Sequence, residues 1–284
     1  MKTGVAPLDR TVDRFTRWLG LPDAPAPSWS HVTALYRRWC QRVPFDNFLI
    51  RTAIAGVPRR VPGMAPPEFL STAMTLGVGN LCMEAADALC AVLRAHGYRV
   101  SVGLCQIGGD SGTLRVNHTT VVLHWGGERF VLDTTLLTGE PIALVDGHHL
   151  VTPVLPHAVR DLGGLWEIAT VTAVGKKPKV IRLLAVVEQT SVCDALYQSL
   201  QGPDYWAANR RFFIQLHEDD ALLTFSGDTL YRTTADDVAS RRIGADERTR
   251  VLTDVFGVSA ALAPTLPADD RPPTPTEVVR DRSA

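Results

Sequence analysis

Cysteine is scarce in this 284-residue chain, and the five present, Cys40, Cys82, Cys90, Cys105 and Cys193, are odd in number and widely scattered. That argues against a disulfide framework, and the lack of any Cys-x-x-Cys pair argues against structural zinc. An excess of one charge is also missing. Lys and Arg number 29 against 30 Asp and Glu, a formal net charge of -1, with no basic stripe to hold a nucleic acid. No apolar run reaches membrane-spanning length, and the first ten residues lack the apolar core of a signal peptide. A cytoplasmic protein without nucleic-acid or membrane partners is therefore expected. Around His148, His149 and His157 there is no carboxylate at helical ligand spacing, so this segment reads as a surface loop and no metal is expected.

With 45% hydrophobic residues, the chain is long enough for two or three packed units. The first third reads as helical. An amphipathic pattern over 8–19 stops at Gly20, and Ser28 or Ser30 is placed to cap a second helix that ends before Pro44. Prolines at 58, 62, 66 and 67 mark a loop before a short helix over 69–76. Gly77, Gly79 and Asn80 then read as a flexible loop leading into a helix. Leu81, Ala85, Ala88, Leu89, Val92 and Leu93 fall on one face of that helix, and Gly97 supplies its stop. Cys82 projects at its first turn, among N–H groups with no intrahelical partner, where a thiolate is favoured over a thiol.

The hydrophobic period then shifts from 3.6 to 2. Strands are expected over 98–106, 118–125 and 129–133, the last two joined by Gly126-Gly127 as a hairpin. An even-numbered loop sets Val121 opposite Leu132 and Leu123 opposite Phe130 on one apolar face. His118 and Asp133 then become diagonal neighbours on the other face, about 7 Å apart at the backbone. An odd loop would separate them. Further strands are expected over 166–174, 180–187, 211–216 and 221–226, with helices over 192–200 and 245–255. From Pro264 onward the composition reads as a mobile tail.

Cys82, His118 and Asp133 form the candidate catalytic set: a nucleophilic thiolate, an imidazole to move its proton, and a carboxylate to orient the ring. A free thiol near pKa 8.5 is only a few per cent ionised at pH 7, whereas a helix N-terminus and a neighbouring His⁺ lower such values to roughly 3.5–7.5. Glu84 reads as a first-turn helix carboxylate, Asn47 as a structural hydrogen-bonding residue and Cys90 as core. Cys40, Cys105 and Cys193 carry no functional signal.

The segment Gly79-Asn80-Leu81-Cys82-Met83-Glu84, followed by His118 and by Asp133 at a hairpin end, resembles the arylamine N-acetyltransferase family, with its Arg-Gly-Gly-x-Cys-x-Glu motif. Val43-Pro44-Phe45-Asp46-Asn47 resembles the family's Pro-Phe-Glu-Asn signature, and the likeness runs on through Phe225-Ser226-Gly227-Asp228 and Val255-Phe256-Gly257-Val258. The resemblance implies an α+β fold with a cysteine-proteinase-like core. Its parts would be a helical domain over 1–97 bearing the cysteine, a β-barrel domain over 98–188 bearing His and Asp, an α/β lid over 189–262, and a flexible tail over 263–284. It also implies acyl transfer from a thioester, acyl-CoA or a carrier protein, through an acyl-cysteine to a small-molecule amine. No bound cofactor is implied. A related branch of the family forms amides in secondary metabolism.

Several positions depart from the family pattern. Val78 stands at the arginine position, so no Arg–carboxylate pair can form with Asp46. Asn80 replaces the second glycine, and Ala86 a common asparagine. After Asp133 the family's Val-Gly-Phe-Gly becomes Thr134-Thr135-Leu136-Leu137, which should reshape the place where acyl donor and acceptor meet. Thr134 and Thr135, together with Phe45, are the candidate substrate-contacting residues, Phe45 reading also as core. The first function expected is thus an amide-forming N-acyltransferase. The alternatives are a thioesterase or amide hydrolase using the same three residues with water as acceptor, and a non-catalytic binding relative.

Overall fold

A computed structural model describes residues 8–21, 26–55, 65–108, 114–152, 154–188 and 211–269. Four helices pack as the N-terminal layer: α1 (Leu8–Trp18), α2 (Trp29–Arg42), α4 (Pro66–Leu76) and α5 (Cys82–Ala95). Ser28 caps α2, accepting from the His31 N–H at 3.2 Å. Proline opens α4, where its missing N–H costs nothing. A short α3 (Phe48–Ile54), not foreseen from the sequence, follows a two-residue strand, β1 (Phe45–Asp46).

Helix α5 is the hub. Every residue from Met83 to Leu93 is buried, including Glu84 and Asp87, so it is enclosed on all sides rather than along one apolar face. It packs on β2 (Val100–Ile107) and β3 (His118–Trp125). Its stop is built by Gly97 at φ +79°, with the Tyr98 N–H reaching back to the Leu93 carbonyl at 3.0 Å.

Eight antiparallel strands curl into a nearly closed, barrel-like sheet. Beyond β2 and β3 these are β4 (Glu128–Leu132), β5 (Ile142–Ala143), β6 (His149–Val151), β7 (Pro156–Asp161), β8 (Trp166–Val171) and β9 (Pro178–Val187), in the order β5-β4-β3-β2-β9-β8-β7-β6. The β3–β4 hairpin has the even register, Val121 opposite Leu132 and Leu123 opposite Phe130. Gly126 and Gly127, at φ +59° and +85°, provide the turn that demands it.

A second sheet, in the order β1-β10-β11-β12-β13, joins β10 (Phe213–Glu218), β11 (Ala221–Ser226), β12 (Thr229–Thr233) and β13 (Val238–Arg242) to the early strand β1. Helix α6 (Ala245–Asp254) covers it, burying Val251 and Leu252 with Phe212, Phe225 and Phe256. The first and last parts of the chain therefore share one sheet.

Three expectations change. The chain from Pro264 to Asp269 is packed rather than mobile. Leu266 is buried, Arg51 donates to the Ala268 carbonyl, and Asp269 accepts from the Phe212 N–H at 2.7 Å. His157 does not lie in a surface loop, because it sits in β7 at 2% exposure. Gly77, Gly79 and Asn80 form a tightly packed turn, not a flexible loop. A methyl group on Gly77 would overlap the Gly257 carbonyl, and one on Gly79 the Pro44 carbonyl. The helix expected over 192–200, Cys193, most of the turn at 108–112 and the end of the tail lie outside the described residues.

Candidate active site

The turn before α5 sets the position of Cys82. Asp46, fully buried, holds the turn from the far side: its Oδ2 accepts the Gly79 N–H at 2.7 Å and its Oδ1 the Phe48 N–H at 2.8 Å. Burial raises the Asp46 pKa to about 6, against those backbone hydrogen bonds that lower it. Val78, at the position where an arginine would have paired with this carboxylate, is buried in the apolar cluster of Phe48, Leu49 and Val258. Backbone donors replace the cation. Asn80 adopts φ +57°, a conformation asparagine tolerates better than most residues, and its amide donates to Glu84 Oε1 at 3.0 Å.

His118 opens β3 and Asp133 follows β4, so the hairpin register brings them to one face. His118 Nε2 meets Asp133 Oδ2 at 2.7 Å, both side chains being 1% exposed. The other carboxylate oxygen is fully engaged. The Thr135 N–H, the Thr135 hydroxyl and the Leu136 N–H donate to Oδ1 at 2.9, 2.8 and 2.9 Å. Tyr36 adds a hydrogen bond from its hydroxyl to the Asp133 carbonyl at 2.8 Å. Burial alone would raise the Asp133 pKa, but His118 and these donors hold it well below the usual carboxylate range. For His118, burial favours the neutral ring. The Asp133 carboxylate, hydrogen-bonded to the ring, and the Cys82 sulfur nearby outweigh it and raise the pKa. With Nε2 committed to Asp133, Nδ1 is the nitrogen left for Cys82.

Among the described cysteines, Cys40, Cys90 and Cys105 are buried and Cys82 is partly accessible. Burial pushes the Cys40 thiol up to about 12 and the Cys105 thiol well above its ordinary value. Beside these residues lies a cavity of about 630 Å³, walled in part by Phe45, Thr135, Leu136, Lys179 and Phe213. Cys82, His118 and Asp133 are not on its wall, but Thr135 and Leu136 are the residues that hold Asp133. Of the candidate substrate-contacting residues, Phe45 and Thr135 line the cavity, while Thr134 is buried away from it. The Thr135 hydroxyl is spent on Asp133. Asn47 is spent on architecture: its amide donates to the Arg211 carbonyl at 2.9 Å and accepts the Phe213 N–H at 3.0 Å.

Sequence reasoning missed Asp46 as the anchor of the turn before Cys82, Tyr36, and Lys179. The Thr135 contact alone had a local signal, since Asp followed by Thr-Thr at a strand end favours side-chain-capped turns. Among the described residues, no group of three His, Cys, Asp or Glu side chains is arranged to hold a metal.

A family profile described as N-acetyltransferase matches residues 30–264, most of the chain. The chain belongs to the arylamine N-acetyltransferase family. This arylamine N-acetyltransferase relative is therefore an acyltransferase enzyme. Its fold is similar to that of the arylamine N-acetyltransferase from Mycobacterium abscessus, at 16% identity, a TM-score of 0.75, and coverage of 90% of this chain and 93% of that one. The Salmonella typhimurium enzyme superimposes with a TM-score of 0.74 at 14% identity, covering 97% of each chain. A Bacillus cereus arylamine N-acetyltransferase, described as having a unique Cys-His-Glu catalytic triad, gives 0.70 at 12% identity over 89% of this chain and 99% of that one. No curated protein matches by sequence. Among the described residues no helix is long and apolar enough to cross a membrane.

Proposed function

We propose that this N-acetyltransferase moves an acyl group from an acyl-CoA thioester, through an acyl-Cys82 intermediate, to an aromatic amine. The observation that carries the reading is the buried 2.7 Å contact of His118 Nε2 with Asp133 Oδ2, which leaves the other face of the ring to Cys82 at the head of α5. The Cys82 thiolate attacks the thioester carbonyl, a carbon–sulfur bond forms, and coenzyme A departs as its thiol with the proton carried by His118. The first-turn N–H groups of α5, which have no intrahelical partner, face the oxyanion that develops, and each such donor is worth ~3 kcal/mol. The amine then attacks the acyl-cysteine carbonyl. His118 takes a proton from the nitrogen, the carbon–nitrogen bond forms, and the carbon–sulfur bond breaks to regenerate Cys82.

Asp133 keeps the ring in the tautomer and orientation that both steps need. Thr135 and Leu136 keep Asp133 in place, and the cavity lined by Phe45 and Phe213 is the space for the aromatic acceptor. The test is intact-protein mass spectrometry of wild type and Cys82→Ala mixed with acetyl-CoA, followed by addition of an arylamine. An acetyl adduct on wild type alone, converted to amide by the amine, is the expected result. Release of free acetate in place of amide would overturn transfer in favour of hydrolysis. Absence of both adduct and turnover would overturn the acetyl-CoA reading and make carrier-protein thioesters the next donors to try.

A further inference from the structure

The cavity wall is electrically one-sided. Among the described residues it carries two cationic side chains, Lys179 and Arg182, and no carboxylate. Arg182 is accounted for, because its Nε lies 3.2 Å from Glu167 Oε2 across the β8–β9 ladder. Lys179 has no ion pair or hydrogen-bond acceptor for its ammonium group among the described residues.

The neighbours of Lys179 do not relieve its charge. In the β8–β9 register it sits opposite Thr170, whose hydroxyl is given to the Pro156 carbonyl at 2.9 Å. One strand further, His157 precedes Ala158, which pairs with Ala169 next to Thr170, and it lies within electrostatic reach of Lys179. His157 is 2% exposed, neither ring nitrogen has a hydrogen-bond partner among the described residues, and burial lowers its pKa to about 4, so it stays neutral. Lys179 also lies within electrostatic reach of Cys82 and Asp133, while burial works against its charged form. Asp133 already spends both oxygens on His118, Thr135 and Leu136. On the same wall the rings of Phe45 and Phe213 meet at 5.0 Å, tilted by 48°, an apolar platform for a planar group.

We propose that Lys179 is a specificity-determining residue that pairs with a carboxylate on the molecule occupying the cavity, either on the aromatic acceptor or on the acyl group being transferred. A cation largely withdrawn from water, with no partner among the described residues, gains most from an anion that arrives with the substrate. The aromatic pair receives the substrate's planar part, and the ammonium sorts acidic from neutral molecules. This deepens the proposed function and rests on it for catalysis, though not for binding.

The test has two arms, each pairing an acid with a neutral analogue of similar shape: 4-aminobenzoate against 4-aminobenzamide as acceptors, and succinyl-CoA against butyryl-CoA as donors. In one arm wild type should prefer the acid by about 10-fold or more in kcat/KM, the scale of one charge-assisted hydrogen bond. Lys179→Met should bring that ratio close to one, and Lys179→Arg should retain it. The arm that shows the preference identifies the source of the carboxylate. No preference in either arm overturns the proposal. So does a Lys179→Met variant that slows acid and neutral substrates alike, which would assign the ammonium to Cys82 instead. Calorimetric binding of the same four compounds to Cys82→Ala, with and without Lys179→Met, reads the preference without turnover. A failure of acyl transfer itself is thereby kept separate from a failure of the Lys179 assignment.

Discussion

Replacing Asp133 by asparagine should disable the histidine without disturbing the fold. Asp133 Oδ1 accepts three hydrogen bonds and Oδ2 meets His118 Nε2 at 2.7 Å. An asparagine at this position keeps its oxygen on the three donors, because the reverse orientation would forfeit three bonds of ~1 kcal/mol each and set its NH₂ group against them. The amide nitrogen then faces His118 Nε2, which must accept. The ring proton moves to Nδ1 and points at Cys82, so His118 can no longer take the thiol proton. The same change in a serine-protease triad costs about 10⁴ in turnover. Here we expect the acylation rate of Asp133→Asn to fall roughly 10³- to 10⁴-fold, or about 4–5 kcal/mol. Rapid-quench mass spectrometry of the acetyl adduct between pH 6 and 9 measures the rate, and thermal unfolding confirms that the variant is folded. A folded variant that acylates within about tenfold of wild type would refute the tautomer argument.

Two further perturbations probe the turn that carries Cys82. The Asp46 pKa of about 6 lies above its ordinary value of 3.8, so the native state binds the extra proton between about pH 4 and 6. The contribution of Asp46 to stability should be greatest below that window and fall as pH rises through it, by at most about 3 kcal/mol at 1.36 kcal/mol per pH unit, while buried His157, its pKa lowered to about 4, acts in the opposite sense. Urea unfolding across pH 4–6.5 should show the stability of wild type relative to Asp46→Asn falling with this slope as pH rises; matching profiles would place the titration elsewhere. Gly79→Ala should cost about 2–4 kcal/mol, because the added methyl overlaps the Pro44 carbonyl and the turn must move. A urea midpoint equal to wild type would show that the turn is looser than its packing indicates.

Local rules carried much of the fold. The hairpin register followed from the parity of a two-glycine loop and the matching of apolar residues across it, and that register puts His118 beside Asp133. Helix α5 was legible from its period and its Gly97 stop, and the β11 boundaries from alternation and the Gly227-Asp228 turn. What stayed hidden depends on partners distant in the chain. Asp46 reaches Gly79 across 33 positions, so the turn's glycines looked mobile when each is pressed against another backbone. His157 follows a proline and adjoins a histidine-rich segment, which masks a short strand's alternation. Lys179 belongs to the run Lys176-Lys177-Pro178-Lys179, which reads as solvated charge until strand pairing turns the last of the three lysines inward.

The pairing of β1 with β10 also bears on when the enzyme can become competent. Cys82, His118 and Asp133 all emerge in the first half of the chain, yet Phe213, Gln215, Leu222 and Thr224 of the cavity wall come from its last third. Until that segment has been made, β1 has no neighbour in its sheet and Asn47 lacks the strand it holds. A nascent or truncated chain ending before Phe213 would carry Cys82 and His118 without the part of the cavity wall that the last third supplies. On the mechanism proposed above, synthesis order would delay selectivity until that last third has been made, and a chain cut short before it should present Cys82 to thiol reagents without the selectivity of the full wall.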